Sequence, residues 1–245
     1  MTPRILLAVA RRVLTQLRRD HRTLAMLLVL PCLLTTLLWW MFDNLSPATF
    51  DRFGPALLAM FPFIVMFLVT SVTTLRERSG GTLERLLAMP MGKLDFLLGY
   101  ALAFGVVAAA QATLAVAVSV GLLDLDVRGP VWLLGLVAVA DAVLGTALGL
   151  FVSAFARTEF QAVQFMPLIV FPQILLCGLF VPRAVLPDVL RAVSDVLPLS
   201  YAVDAMEHLT RTSSTGDVWR DLAVVAAFTV AGLALGAATL PRRTP

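Results

Sequence analysis

The chain has 245 residues, of which 59% are hydrophobic and 14% charged, and a formal net charge of +3. A soluble domain of this length is about 45–50% apolar and about 25% charged, so the composition excludes an ordinary water-soluble fold and points to an integral membrane protein. The surplus of arginine is read as topology rather than nucleic-acid binding, because basic residues stay on the cytoplasmic side of membrane proteins.

Residues 1–22 carry Arg4, Arg11, Arg12, Arg18, Arg19 and Arg22 on one side of a helical wheel and Leu6, Val9, Val13 and Leu17 on the other. This predicts an interfacial helix, Arg toward lipid phosphates and Leu/Val toward acyl chains. Thr23–Phe42 is the first span, long enough for a hydrocarbon core of about 30 Å, with Trp39 and Trp40 at its far end. A short loop over Asp43–Phe53 leads to a second span, Gly54–Leu75. The polar stretch Arg76–Asp95 follows, the long interruption in the first half of the chain. Leu97–Val120 and Pro130–Phe155 are the third and fourth spans. Both are dotted with Ala and Gly, including Gly145, Ala147 and Gly149, which allow close helix approach. Arg157-Thr158-Glu159 is a polar turn. Phe160–Val181 is the fifth span, broken by Pro167 and Pro172.

Residues 182–217 hold Pro182, Pro187 and Pro198 within an apolar periodicity whose pieces are too short to cross a bilayer. They are expected to form short amphipathic or re-entrant helices. Val218–Leu240 is the sixth span. With six spans, thirteen Lys and Arg fall on the side of the termini and six on the other. Both termini and the Arg76–Asp95 segment are therefore expected in the cytoplasm. The fold class is all-α and integral to the membrane, a single domain over 1–245: interfacial helix 1–22, spans one and two 23–75, polar loop 76–95, spans three to five 96–181, outer region 182–217, span six 218–240.

No catalytic apparatus is visible. A phosphate-binding GxxxxGK[ST] loop is absent, since Gly92-Lys93 is followed by Leu94 and Leu87 stands where the first glycine belongs. His21 and His208 have no metal-ligand spacing around them, and Cys32 and Cys177 lie within apolar runs, away from a disulfide framework. No cofactor or metal is expected on this chain. Asp141 is the acid well inside a span, and two readings stay open. It is a substrate-path or proton-relay acid, or it is structural and paired with a group such as Thr146 or Gln111. Gln161, Gln164 and Gln173 on span five either hydrogen-bond across a subunit interface or line a substrate route, and Phe165 belongs to the same candidate path. In the polar loop, Gly80-Gly81 break the helix and Thr82 is a plausible N-cap, with Glu84 in the first turn. Leu83, Leu86 and Leu87 form one apolar face, and Pro90 ends the helix. A short displayed helix of this kind suits a groove on a cytoplasmic partner.

Glu77-Arg78-Ser79-Gly80-Gly81-Thr82-Leu83-Glu84-Arg85-Leu86-Leu87-Ala88-Met89-Pro90 resembles the first cytoplasmic-loop motif of type-2 ABC exporter permeases, E-R-x-x-G-T-L-E-x-L-L-x-x-P. The second half resembles them too: Ala156 to Glu159 with Gln161-Ala162, Phe171-Pro172-Gln173, Gly178-Leu179-Phe180, Pro182, Leu186-Pro187 and Leu197-Pro198. The similarity is to the daunorubicin-resistance type of drug-export permease and covers nearly the whole chain. It implies the membrane half of an exporter in the cytoplasmic membrane of a bacterial cell. A second permease subunit, the same or a sibling, would complete it, with two copies of a separate ATPase subunit that carries ATP and Mg. In that reading residues 82–89 are a coupling helix and Glu77 and Glu84 hold the coupling loop. Gly81, Thr82, Leu83, Leu86, Leu87 and Pro90 shape that loop, and Arg157 sits in the second inner loop. Pro182, Pro187 and Pro198 build the outer gate. Membrane lipids and a hydrophobic small molecule (drug, antibiotic or lipid) are the remaining partners. A proton-coupled transporter using Asp141 and a non-transport membrane scaffold are the competing readings.

Overall fold

The computed structural model describes residues 3–43, 47–80 and 93–239. Among them the secondary structure is wholly helical, as expected. The elements are α1 (Pro3–Arg19), α2 (His21–Asp43), α3 (Pro47–Ser79), α4 (Lys93–Gly121), α5 (Val131–Ser153), α6 (Glu159–Leu176), a 3-10 turn (Arg183–Val185), α7 (Asp188–Ser194), α8 (Pro198–Arg211) and α9 (Gly216–Thr239). Six of these, α2 to α6 and α9, are long and apolar enough to cross a bilayer.

Helices α3 and α5 form the centre, and α5 also packs on α4 and α9. Two glycines set the α3–α5 distance. A Cβ on Gly145 would lie 2.5 Å from the Phe63 carbonyl oxygen, and one on Gly149 would lie 2.6 Å from that of Phe67. Backbone therefore rests on backbone, and the large side chains Phe63, Phe67, Leu58 and Leu144 fill the space alongside. Helices α2, α6 and α9 ring this core and expose apolar faces, among them Met26, Leu33, Trp40, Phe160, Leu168 and Val230.

Several expectations are corrected. Helix α1 is amphipathic, but its apolar residues Val9, Val13 and Leu17 are buried against protein rather than turned to lipid. The partner is α4: Gly99 has no side chain, and Val9 lies where one would be, 2.7 Å from the ideal Cβ position. Leu7 remains exposed. The second span extends back to Pro47, so most of the expected Asp43–Phe53 loop is helical. Its polar residues are accommodated at the end of the bundle, where Asp51 accepts a hydrogen bond from the Asp126 backbone N–H at 3.2 Å. Helix α6 runs unbroken through Pro167 and Pro172, as membrane helices can when neighbouring groups take up the freed carbonyls. It stops at Leu176, short of Val181, because Gly178 adopts φ +105° and reverses the chain.

Candidate functional site

Two ends of the bundle are chemically distinct. At the first end lie α1, the last turn of α3, the start of α4 and the start of α6. Arg12 on α1 donates to both carboxylate oxygens of Glu77 on α3, at 3.3 and 3.1 Å, and the Glu77 side chain is only 8% exposed. One residue earlier, Arg76 makes a two-pronged pair with Glu159, both contacts at 2.8 Å. Consecutive residues of α3, about 100° apart around the helix, thus bind α1 and α6. The guanidinium fork suits this role, since it matches a carboxylate with two parallel N–H donors. Asp20 closes the α1–α2 corner, accepting from the backbone N–H of Thr23 at 3.1 Å and its hydroxyl at 2.6 Å. These two hydrogen bonds, the hydroxyl one foremost, hold its carboxyl below the usual value. A cleft of about 600 Å³ opens here between α1, α3 and α6, lined by Gln16, Asp20, Thr73, Arg76 and Val163 among others.

The start of α6 is capped by two side chains. Thr158 accepts from the Gln161 backbone N–H at 3.1 Å, and the Gln161 side chain accepts from the Arg157 backbone N–H at 2.9 Å. Gln161, read from sequence with Gln164 and Gln173, is thereby engaged at the helix terminus. Arg157 is exposed beside it, Gln164 is exposed, and Phe165 packs against Leu75, Ala156 and Ala162. Gln173 is buried near the opposite end of α6. Its amide oxygen accepts from the Leu199 backbone N–H at 3.3 Å, a donor left free at the start of α8, and its nitrogen donates to Ile169 O at 3.1 Å. The three glutamines therefore do not converge on one lining. Gly81, Thr82, Leu83, Glu84, Leu86, Leu87 and Pro90 lie outside the described residues.

Asp141 is fully buried in α5, and neither carboxylate oxygen has a hydrogen-bond partner among the described residues. The expected partners are engaged elsewhere. Thr146 donates to Ala142 O at 3.2 Å, and Gln111 donates to Leu27 O at 2.8 Å.

At the second end each of the three prolines read as gate residues begins a helix: Pro182 precedes the 3-10 turn, Pro187 precedes α7, and Pro198 is the first residue of α8. Arg183 knots this region together. It pairs with Asp195 after α7 and with Asp204 on α8, and its guanidinium lies 5.3 Å from the centre of the Tyr201 ring. The Tyr201 hydroxyl donates to Asp195 O at 2.7 Å. Neither this knot nor the Arg12–Glu77 and Arg76–Glu159 pairs were found by sequence reasoning. Opposite charges at facing helix ends are the signal, but it names no partner until the helices are placed.

Six bilayer-length helices, two of them packed tightly at the centre, with paired charges at the ends, define a multi-pass membrane protein. The ABC-2 type transporter family model matches residues 4–210, and the chain belongs to that family. It is similar to a probable multidrug ABC transporter permease, YbhR, of Escherichia coli (strain K12), with 28% identity over 169 residues, 69% of this chain and 46% of that protein. The inner membrane transport permease YhhJ of the same strain is 27% identical over 180 residues, 72% of this chain and 47% of its own length. ABC transporter G family member 20 of Dictyostelium discoideum is 26% identical over 168 residues, 69% of this chain and 23% of its own. The chain spans less than half the length of each of these relatives.

Proposed function

We propose that this chain is the permease subunit of an ATP-driven exporter that moves a hydrophobic or amphipathic compound out across the cytoplasmic membrane. The ATP and Mg would be bound by a separate ATPase subunit, two copies of which would serve a pair of permeases. The observation that carries the reading is the doubly paired end of α3. Arg76 and Glu77 connect α6 and α1 to the helix that leads directly into residues 81–92. A push applied to that segment would reach three helices at once through charged contacts. The family membership and the names of the bacterial relatives support transport, and the arginine count supports a cytoplasmic position for this end.

The test is retention of an ATPase by the tagged chain purified from its native membrane. Wild type is expected to hold a Mg-dependent ATPase. Leu86→Asp and Glu84→Lys are expected to lose it while inserting in equal amount, and full retention by both variants overturns the docking assignment. The unpaired, buried Asp141 favours a second reading, proton-coupled transport. Efflux from vesicles that continues without nucleotide and stops with a protonophore would select that reading over the first.

A further inference from the structure

At the end opposite α1, the segment between α6 and α9 folds back over the bundle and leaves a cleft of about 440 Å³. Its polar lining includes Arg52, Arg183, Asp204, Glu207, His208 and Arg211. The acceptors in it are already engaged. Asp204 is paired with Arg183, and Glu207 with Arg211 at 2.9 Å. The donors are not all used. Arg52 lies over the Phe53 ring at 5.3 Å and has no carboxylate within salt-bridge distance among the described residues. The buried Nε–H of Arg183 has no hydrogen-bond partner among the described residues. Arg183 is held by Asp195 and Asp204, and Arg211 by Glu207, which leaves the Arg52 guanidinium as the free charge of the lining, with its chemistry on the donor side. An oxyanion meets that need, because a guanidinium offers parallel N–H donors to paired oxygens. The cleft also has an apolar margin. Leu179 lines it, and Phe180, Val181 and Val185, which follow in the chain, are 59%, 42% and 68% exposed.

We propose that this cleft binds the anionic head group, phosphate or carboxylate, of an amphiphile, with Arg52 as its main cation and the alkyl part lying along Phe180, Val181 and Val185. The site is separate from the α1 end and holds whatever the energy source of transport. Two sources share this chemistry, a lipid of the surrounding bilayer and a single-chain anionic compound.

The experiment is equilibrium binding to the purified full chain in a neutral maltoside detergent, with dodecyl phosphate as the probe. Saturable binding is expected. Arg52→Gln should weaken it about tenfold, the effect of one charge-assisted contact. Arg52→Lys should restore much of it by keeping the charge. Dodecyltrimethylammonium should not compete, and inorganic phosphate should bind far more weakly because it lacks the chain. Competition by dioctanoyl phosphatidylglycerol at equal strength identifies a bilayer lipid, and weaker competition identifies a single-chain ligand; either upholds the site. Equal affinity in wild type and a folded Arg52→Gln variant, with an unchanged thermal unfolding curve, overturns it. So does equal competition by the cationic amphiphile.

Discussion

Glu77 is buried at the last turn of α3, and Arg12 supplies the counter-charge that makes its position tolerable. Removing one partner of such a pair leaves an uncompensated charge, whereas neutralising the acid removes the problem along with the bond. Arg12→Ala is therefore expected to cost about 2 kcal/mol, below the fully buried range because Arg12 is itself 37% exposed, and Glu77→Gln clearly less. Denaturant unfolding in detergent measures both, and a larger loss for Glu77→Gln contradicts the assignment. Asp204 shows the opposite balance. Burial, more than the attraction of Arg183, sets its carboxyl, which lies above the usual 3.8. The folded state then holds a proton that the unfolded chain has released, so acidification favours the fold through this group. Wild type is expected to gain thermal stability through Asp204 as the pH falls toward the ordinary carboxyl value of 3.8. Asp204→Asn should gain less, the remainder coming from Glu207, whose burial also raises its carboxyl. Gln161 and Gln173 illustrate what sequence leaves open at this scale. An amide on a span can cap, bridge or line a path, and only the position of the next helix assigns its donors and acceptors.

At the level of elements, small residues on the fourth span announced close packing, and Gly145 and Gly149 do provide it. Their partner, α3, was not legible, because glycine spacing marks a contact face without saying which helix meets it. Gly145→Ala pushes a methyl into the Phe63 carbonyl and is expected to destabilise the protein by about 2 kcal/mol, the usual range for overpacking. Gly135 on the same helix has nothing within 4 Å of an added Cβ, so Gly135→Ala should be neutral or gain up to about 1 kcal/mol. Thermal unfolding of the two variants side by side tests whether backbone contact holds α5 to α3. For α1 the wheel separated Arg from Val and Leu correctly, and the structure turned the apolar face to α4. Lipid and protein present equally apolar surfaces to Val9 and Val13, so amphipathicity alone does not choose between them.

For the whole molecule, the distribution of Lys and Arg predicts that α1 faces the cytoplasm and α7 the outside. In a Cys32→Ser, Cys177→Ala background, a membrane-impermeant maleimide applied to intact cells is expected to label Val189→Cys, at a highly exposed position on α7, and not Gln16→Cys on α1. Labelling of Gln16→Cys alone would invert the topology. Class, number of spans and their approximate limits were legible in the amino-acid pattern. Each follows from a local sum, the apolar length needed to cross hydrocarbon and the cost of leaving charges inside it. Its loop motif also pointed to the family that the ABC-2 model match then showed. Tertiary structure alone decided which charges meet: Arg12 with Glu77, Arg76 with Glu159, and Arg183 with Asp195 and Asp204. It alone left Asp141 without a partner among the described residues and Arg52 beside an open cleft. Pairings between residues far apart in the chain depend on the rotation and depth of whole helices, and those are set by packing across the bundle rather than by any local stretch of sequence.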